Sequence, residues 1–164
     1  MSSTRNPQTL GPVCQRKLEL ERLRFPSSQD GGEMFFLETS GRSWLTPRET
    51  CALESAARFS GLRVNIILTS SFLDLYDNST CYLYMFSSNI RFFTIKLRDA
   101  FRDTPLDRFY QREEYRRSEH RTTHLSDALR YALVYKQGGF YSDLDTITIR
   151  SIANIECYLS SGDW

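Results

Sequence analysis

The feature that most constrains the fold is a helix start placed between two short apolar segments. Residues 46–49, Thr-Pro-Arg-Glu, form a capping box with proline at the first helical position. We predict a helix from there to about Phe59, with Gly61 as its stop. The apolar run at 34–37 and the alternating, then β-branched, run at 62–69 favour strands on either side of that helix.

The rest of the chain continues this alternation of strands and helices. The predicted elements are a short helix with loops over 71–88, a third strand over 89–97, a helix over 126–137 stopped by Gly138 and Gly139, a short strand over 140–142 and an extended piece over 146–149. This order predicts the α/β class: a Rossmann-like α/β/α sandwich with a mainly parallel sheet. Ligands in such folds gather beyond the carboxyl ends of the strands.

Composition and charge exclude several classes of partner. The 21 Lys and Arg residues nearly balance the 20 Asp and Glu residues, so a net charge of +1 gives no reason to expect nucleic acid. No apolar run approaches the roughly 20 residues needed to span a bilayer, and the polar N-terminus lacks the apolar stretch of a signal peptide. Taken literally, these features predict a soluble chain without a targeting segment.

The N-terminal part of the chain differs in composition from the rest. Residues 1–32 are polar and contain three prolines and a Gly-Gly pair, which predicts a poorly ordered arm with a short helix over 15–24. Residues 33–164 form the predicted domain. Within it, the charged stretch 101–121 mixes both signs, which favours a solvated helix and loop over a flap above an anionic ligand.

The cysteines and histidines do not form a metal-binding pattern. Cys14, Cys51, Cys81 and Cys157 include no C-x-x-C pair, so neither a zinc site nor a thioredoxin-like motif is expected. We expect Cys51 to be a buried apolar residue of its helix. A Cys51–Cys81 disulfide is conceivable in the secretory pathway, where the sequon at residues 78–80, Asn-Ser-Thr, would also matter. His120 and His124 are four residues apart, and we expect a loop residue and a helix-start residue rather than metal ligands.

The chemistry is concentrated around two aspartates that follow a short apolar strand. Asp143 and Asp145 would point the same way on an extended backbone, and two such carboxylates suit a hard divalent cation that also binds phosphate. The alternative is a turn with solvated acids. Upstream, Asp127 and Arg130 share one helix face, where they could form only a cap and an ion pair, or could bind a sugar and a diphosphate.

The segment from His124 to Asp145, HLSDALRYALVYKQGGFYSDLD, resembles the signature of the D-x-D sugar-transferase family. That family includes the animal α-1,4-galactosyltransferases, the α-1,4-N-acetylglucosaminyltransferases and, more distantly, yeast α-1,6-mannosyltransferases. Its pattern is S-D-x-x-R, an apolar helix, and then G-G-x-Y-x-D-x-D, and every fixed position is present. Residues 35–40 with 51–58, and residues 101–106, are similar to the galactosyltransferase branch.

The resemblance implies a role for each matching residue. Asp145 would bind the metal directly, and Asp143 would contact the ribose or the waters on the metal. Asp127 and Arg130 would hold the donor sugar and its diphosphate, and Tyr141 would pack beside the nucleotide. Residues 35–40, which include Thr39 and Ser40, would line the uridine pocket.

The resemblance also implies an activity and a location. Family members have a GT-A fold, are Golgi membrane proteins, and use UDP-sugars and Mn²⁺ with retention at the anomeric carbon. We expect transfer of galactose or an N-acetylhexosamine to a glycolipid or glycan acceptor. This chain departs from the family in having no membrane anchor and in stopping at Trp164, so the resemblance implies that a C-terminal half is absent.

Two other functions compete with transfer. The chain could be a truncated remnant that binds a UDP-sugar without transferring it. A haloacid-dehalogenase-type phosphatase also has D-x-D after a strand, but it requires Thr or Val two residues after the second Asp. Ile147 occupies that position here.

Overall fold

The computed structural model describes residues 14–25 and 32–154. Seven strands are present in this part of the chain: β1 (Lys17–Glu19), β2 (Glu21–Arg22), β3 (Glu33–Glu38), β4 (Arg63–Leu68), β5 (Phe72–Asp74), β6 (Ile90–Thr94) and β7 (Phe140–Tyr141). The helices are α1 (Pro47–Phe59), α2 (Asn78–Phe86), α3 (Leu97–Phe101), α4 (Asp107–Gln111) and α5 (Arg121–Gln137), with a 3₁₀ turn at Glu114–Arg117. The strands predicted over 34–37, 62–69 and 89–97 are therefore confirmed as β3, β4 and β6.

Five of these strands form one sheet in the order β2-β6-β4-β3-β7, and each neighbouring pair is parallel. β3 pairs with β4 from Glu33 opposite Arg63 to Glu38 opposite Leu68. β7 lies on the other side of β3, with Tyr141 opposite Phe35. Because these strands run in one direction, the chain segments that follow β3 and β7 leave the sheet at the same edge.

The core lies on both faces of this sheet. Along β3, Met34 and Phe36 enter one apolar cluster, whereas Phe35 and Leu37 enter the other. The first cluster includes residues of α1 and α2, and the second includes residues of α3 and α5. Each fully buried aromatic or aliphatic side chain stabilises the fold by about 1.5–3 kcal/mol. The predicted α/β/α sandwich with a mainly parallel sheet is thus the architecture of this chain.

Helix α1 begins as its capping box predicts. The Thr46 N–H donates to Glu49 Oε2 at 2.7 Å, and the Glu49 N–H donates to Thr46 Oγ1 at 3.3 Å. A cap of this kind is worth about 1 kcal/mol. The helix ends at Phe59, and Gly61 follows with a φ of +76°, where a residue without a Cβ is favoured.

The helix predicted over 15–24 is wrong, because this segment forms β1 and β2 instead. β1 pairs antiparallel with β5, with Leu18 opposite Leu73, and β2 pairs with β6, with Glu21 opposite Phe93. Both partner strands lie some 50 to 70 residues later in the chain, so long-range pairing overrides the local preference. Residues 1–13 and 26–31 lie outside the described residues, and the domain division at residue 32 stays a prediction.

The other elements differ from the predictions mainly at their ends. Helix α5 starts at Arg121 rather than at 126, and His120 and His124 lie at its first turn. Segment 71–88 contains the expected helix, α2, and an additional strand, β5. Segment 101–121 forms short helices whose charged side chains are mostly exposed, as a solvated surface requires.

The chain after the D-x-D, predicted as an extended piece over 146–149, joins none of the strands and follows α1. The Thr148 N–H donates to Ser55 Oγ at 3.0 Å, and the Ile152 N–H donates to the Ser60 carbonyl at 3.0 Å. These two hydrogen bonds attach the segment after the aspartates to the C-terminal half of the helix.

The disulfide differs from the pairing considered from the sequence. Cys81 is bonded to Cys14, with their Cα atoms 5.5 Å apart, and both are buried. Cys51 lies on the exposed side of α1 and is a free thiol, so the expectation that it is buried is wrong. Cys157 lies outside the described residues. No helix in the described part of the chain combines the length and apolar character needed to cross a membrane.

Candidate functional site

The aspartates of the D-x-D lie in a turn at the end of β7. The Thr146 N–H donates to the Asp143 carbonyl at 3.2 Å, and the Thr146 hydroxyl donates to the same carbonyl at 2.8 Å. The extended backbone assumed for these residues is therefore wrong. Leu144, between the aspartates, packs against the core cluster on the α1 side, and Asp145 is exposed. The turn nevertheless leaves both carboxylates beside one cavity.

That cavity is open, has a volume of about 370 Å³, and lies between the D-x-D turn and the end of β3. One wall consists of Asp143, Leu144 and Asp145, and the other consists of residues 37–40 with Arg42, Thr46, Arg48 and Glu49. Thr39 and Ser40, from the segment predicted to line a uridine pocket, thus line this cavity, and their contact with uridine stays a prediction. Phe35 and Phe36 belong to the same predicted segment but are fully buried in the core, so they do not line the cavity.

A buried acid, Glu38, lies at the base of the β3 wall. Its Oε1 accepts from the Ser40 N–H at 3.1 Å and from the Ser40 hydroxyl, and Arg42 Nη2 lies 3.3 Å away. Its Oε2 is buried and has no hydrogen-bond partner among the described residues. An unpaired buried acceptor lowers the free energy of unfolding by about 1–3 kcal/mol, so this oxygen destabilises the fold.

Arg42 connects Glu38 to the capping box of α1. Its Nη1 and Nη2 donate to the two carboxylate oxygens of Glu49 at 3.1 and 2.6 Å. These bonds raise the pKa of Arg42. Burial alone would raise the pKa of Glu49, but the hydrogen bonds from Arg42 and Thr46 hold it below its ordinary value. This bidentate ion pair fixes the loop between β3 and α1 beside the cavity.

On the other side of the aspartates, Arg130 and Tyr141 hold Asp143. The Tyr141 hydroxyl donates to Asp143 Oδ1 at 2.8 Å, and Arg130 Nη1 lies 3.5 Å from the same oxygen. The Arg130 guanidinium lies 5.0 Å from the centre of the Tyr141 ring, a cation–π contact. Burial and the hydrogen bond to Asp143 raise the pKa of Tyr141, so its hydroxyl stays protonated and can donate.

Asp127 joins this group through Arg130. Arg130 Nη2 donates to Asp127 Oδ1 at 2.6 Å, so the predicted i,i+3 pair is present on α5. Asp127 also lines a second cavity of about 270 Å³ whose other walls are Leu106, Phe109, His124, Ala128 and Tyr131. Arg130 therefore links Asp127, at the edge of this mainly apolar cavity, to Asp143 of the D-x-D.

The residues at the D-x-D fit a divalent cation. Asp145 is exposed and Asp143 half-exposed, so both carboxylates can supply oxygen ligands while phosphate and water fill other positions. No group of three or more His, Cys, Asp or Glu side chains gathers in the described part of the chain. Two carboxylates with open positions suit an ion that is held jointly by the protein and its substrate.

Sequence reasoning missed the contacts of Glu38, Arg42 and the Tyr141 hydroxyl. The capping glutamate, Glu49, was identified, but its second role as the partner of Arg42 has no sequence signal, since the two residues are seven apart and separated by a loop. Tyr141 was identified only as a residue expected to pack beside a nucleotide. Its alternation with Asp143 along an extended backbone could have suggested that the two side chains lie together.

Comparison with known proteins gives consistent matches. A family model described as "Glycosyltransferase sugar-binding region containing DXD motif" matches residues 46–160. The lactosylceramide 4-alpha-galactosyltransferase of Rattus norvegicus is 32% identical over 141 residues, covering 82% of this chain and 38% of that protein. The Homo sapiens protein of the same name is 34% identical over 128 residues, covering 76% and 36%.

Two further matches are more remote. The Homo sapiens alpha-1,4-N-acetylglucosaminyltransferase is 33% identical over 124 residues, covering 71% of this chain and 36% of that protein. Among solved structures, the PaToxG glycosyltransferase is similar with a TM-score of 0.47 and 14% identity, covering 84% of this chain and 47% of that one. The chain thus spans less than two-fifths of the length of these curated relatives.

Proposed function

Because the chain belongs to the family of glycosyltransferase sugar-binding regions that contain a DXD motif, we propose that it binds a UDP-sugar and a divalent cation for retaining transfer of a hexose. The observation that carries this proposal is the cavity with Asp143 and Asp145 on one wall and the polar end of β3 on the other. In this proposal the aspartate wall binds the cation with its diphosphate, and the β3 wall binds the nucleoside. The family match argues against the phosphatase alternative.

Asp145 is the proposed direct ligand of the cation, preferably Mn²⁺. Its exposed carboxylate has room to approach an ion, whereas Asp143 already accepts from Tyr141. Asp143 is therefore proposed to orient the waters on the cation or a ribose hydroxyl. When bound, the cation would neutralise the charge that develops on the departing diphosphate. Thr39 and Ser40 would contact the nucleoside from the opposite wall.

Asp127 and Arg130 are proposed to bind the donor sugar and its diphosphate. Arg130 extends from α5 towards Asp143, and its buried Nε has no hydrogen-bond partner among the described residues. A guanidinium with an unused donor can turn towards phosphate without losing its contact with Asp127. Asp127 would then accept from a sugar hydroxyl.

The names of the relatives support a proposal for the donor sugar and the acceptor, and the disulfide supports one for the compartment. Their printed names are those of a lactosylceramide galactosyltransferase and an N-acetylglucosaminyltransferase, which favours galactose or an N-acetylhexosamine and a glycolipid or glycan acceptor. The Cys14–Cys81 disulfide supports an oxidising compartment such as the Golgi lumen. The competing role is that of a protein that binds the UDP-sugar but transfers nothing.

Calorimetry tests donor binding directly. The full chain is titrated with UDP in Mn²⁺ and again in excess chelator, and we expect measurable affinity only with the cation. Equal affinity in both would remove the metal from the proposal. Asp145→Asn should lower the affinity for UDP in Mn²⁺, whereas Asp103→Asn is the control. Asp103 is exposed, has a φ of +61° that Asn tolerates, and does not line the cavity.

A transfer assay separates the enzyme from the binding protein. The chain is incubated with Mn²⁺, a lactose-bearing glycolipid and either UDP-galactose or UDP-N-acetylglucosamine. Transfer is supported if the chain forms product and Asp145→Asn lowers the rate of product formation by at least roughly two orders of magnitude. A loss of that size is expected when one strong electrostatic contact to the leaving group is removed. If the chain binds both UDP-sugars but forms no product from either, the result would support the competing role of a protein that only binds the donor.

A further inference from the structure

The start of α2 carries a sequon whose first and third residues lie in different surroundings. Asn78 is the first residue of α2 and is exposed, whereas Thr80 is completely buried. The Thr80 hydroxyl accepts from the Leu45 N–H at 2.8 Å and donates to the Asp77 carboxylate at 2.8 Å. The amide of the sequon thus faces solvent, while its hydroxyl is enclosed and used in the fold.

We propose that Asn78 carries an N-linked glycan that is attached before α2 packs against the rest of the chain. The Asn78 amide nitrogen bonds to C1 of an oligosaccharide carried by a lipid diphosphate. The C1–O bond to the diphosphate breaks, the lipid diphosphate leaves with its electron pair, and the amide gives one proton to a base of the transferring enzyme. This proposal rests on the luminal compartment proposed above and is independent of any transfer by this chain itself.

The order of events follows from Thr80. Only a hydroxyl residue serves at the third position of a sequon, so the modifying enzyme must engage that hydroxyl. In the folded chain both hydrogen-bonding functions of the Thr80 hydroxyl are taken by Asp77 and Leu45, and solvent does not reach it. Glycosylation must therefore precede packing of α2.

The Cys14–Cys81 disulfide limits the time available for glycosylation of Asn78. Cys81 follows Thr80 directly, so closing this bond ties the start of α2 to the segment before β1. Disulfide formation takes seconds or longer. Because closing the bond and glycosylating Asn78 compete for the same unpacked segment, we expect glycosylation of Asn78 to increase when the disulfide cannot form.

The surface beside Asn78 indicates where the glycan lies. Tyr82 and Phe86 follow it at four-residue intervals on the same helix face, and we call these two residues the aromatic stripe. Tyr82 is 46% exposed and Phe86 62% exposed, and their ring centres are 4.9 Å apart. A glycan on Asn78 starts one helical turn away, so its first sugars can cover these rings with their apolar faces.

Occupancy is tested on the full chain directed into the endoplasmic reticulum of cultured cells by an added cleavable signal sequence. We expect a slower-migrating form that peptide:N-glycosidase removes. Asn78→Gln and Thr80→Val should abolish this form, whereas Thr80→Ser should keep it. Arg91→Thr, which completes a second sequon at Asn89, is the control for entry into the lumen. Modification at Asn89 in that variant without any modification at Asn78 would overturn the proposal.

The timing and the position of the glycan have their own measurements. Cys14→Ser should raise the occupied fraction, since the competing bond cannot close. An unchanged fraction would refute the competition. Removing the glycan from the folded protein should increase binding of a hydrophobic dye, and Phe86→Ser should reduce that increase. Equal dye binding before and after removal would refute coverage of the aromatic stripe.

Discussion

The Tyr141 hydroxyl tests whether Asp143 must be held in place to bind a donor. Tyr141→Phe keeps the ring over which Arg130 lies but removes the hydrogen bond of 2.8 Å to Asp143 Oδ1. If Tyr141 only packs beside the nucleotide, the phenyl ring serves equally well. If its hydroxyl positions Asp143, the affinity for UDP in Mn²⁺ should fall. Tyr141→Leu, which removes the ring as well, distinguishes these roles.

The size of the effect follows from the surroundings of Asp143. A hydrogen bond to a charged group is worth about 1.5–3 kcal/mol when buried. The Asp143 side chain is 49% exposed, so water replaces part of this bond in the variant. Arg130 Nη1 also remains 3.5 Å from the same oxygen. We therefore expect a loss of about 0.5–1.4 kcal/mol, or about two- to tenfold in affinity.

The assay is calorimetry of UDP with Mn²⁺ for the wild type and both Tyr141 variants, beside thermal unfolding of each. Tyr141→Phe should lower the melting temperature by no more than about 2–4 °C, since about 1 kcal/mol moves it by that amount in a domain of this size. Unchanged affinity in Tyr141→Phe together with a clear loss in Tyr141→Leu would refute positioning. That outcome would favour packing of the ring beside the nucleotide.

Three further predictions concern other parts of the site and of the fold. In calorimetry, Asp127→Asn should leave the affinity for UDP unchanged but lower the affinity for UDP-galactose at least about tenfold, whereas Arg130→Lys should lower both affinities. Equal effects of Asp127→Asn on the two affinities would contradict the sugar contact. Because the folded protein lowers the pKa of Glu49, the ionised carboxylate stabilises the fold at a pH above the ordinary pKa of 4.5. This stabilisation is lost as the pH falls through the folded-state pKa. Glu49→Gln should therefore be less stable than wild type in denaturant at pH 7, with a smaller difference at pH 3, and a pH-independent difference would exclude this linkage. Gly139→Ala should destabilise the protein by about 2–4 kcal/mol, because its Cβ would lie 2.6 Å from the Glu33 carbonyl at a φ of +76°. Gly138→Ala has open space for its Cβ, so its loss of about 1–3 kcal/mol in the same denaturant titration should come from the backbone conformation alone, with a φ of +67° and a ψ of −156°.

The parts of the fold that were predictable are those with local signals. The capping box at Thr46 and the glycines at 61, 138 and 139 mark element ends through their own backbone chemistry. The apolar runs of β3 and β4 are buried on both faces, as a central parallel pair requires. The pattern around the D-x-D indicated the family for the same reason: its residues are close in sequence.

The parts that were not predictable depend on residues far apart in the chain. Residues 17–22 are strands because β5 and β6 lie beside them, and nothing within the segment reveals those partners. The choice of Cys14 rather than Cys51 for Cys81 depends on which helix face is turned outward. The turn at Asp143 likewise depends on Leu144 packing into the core behind it.

The attachment of residues 146–152 to α1 couples the two walls of the cavity beside the D-x-D. At its N-terminus α1 carries Glu49, which fixes the β3 wall through Arg42. Farther along, Ser55 receives the segment that leaves the D-x-D turn. One helix therefore spans from the β3 wall of the cavity to the segment that follows its aspartates. A movement that swings the D-x-D turn away from β3 would pull on the hydrogen bond from Thr148 to Ser55, so α1 restrains the width of the cavity from both walls.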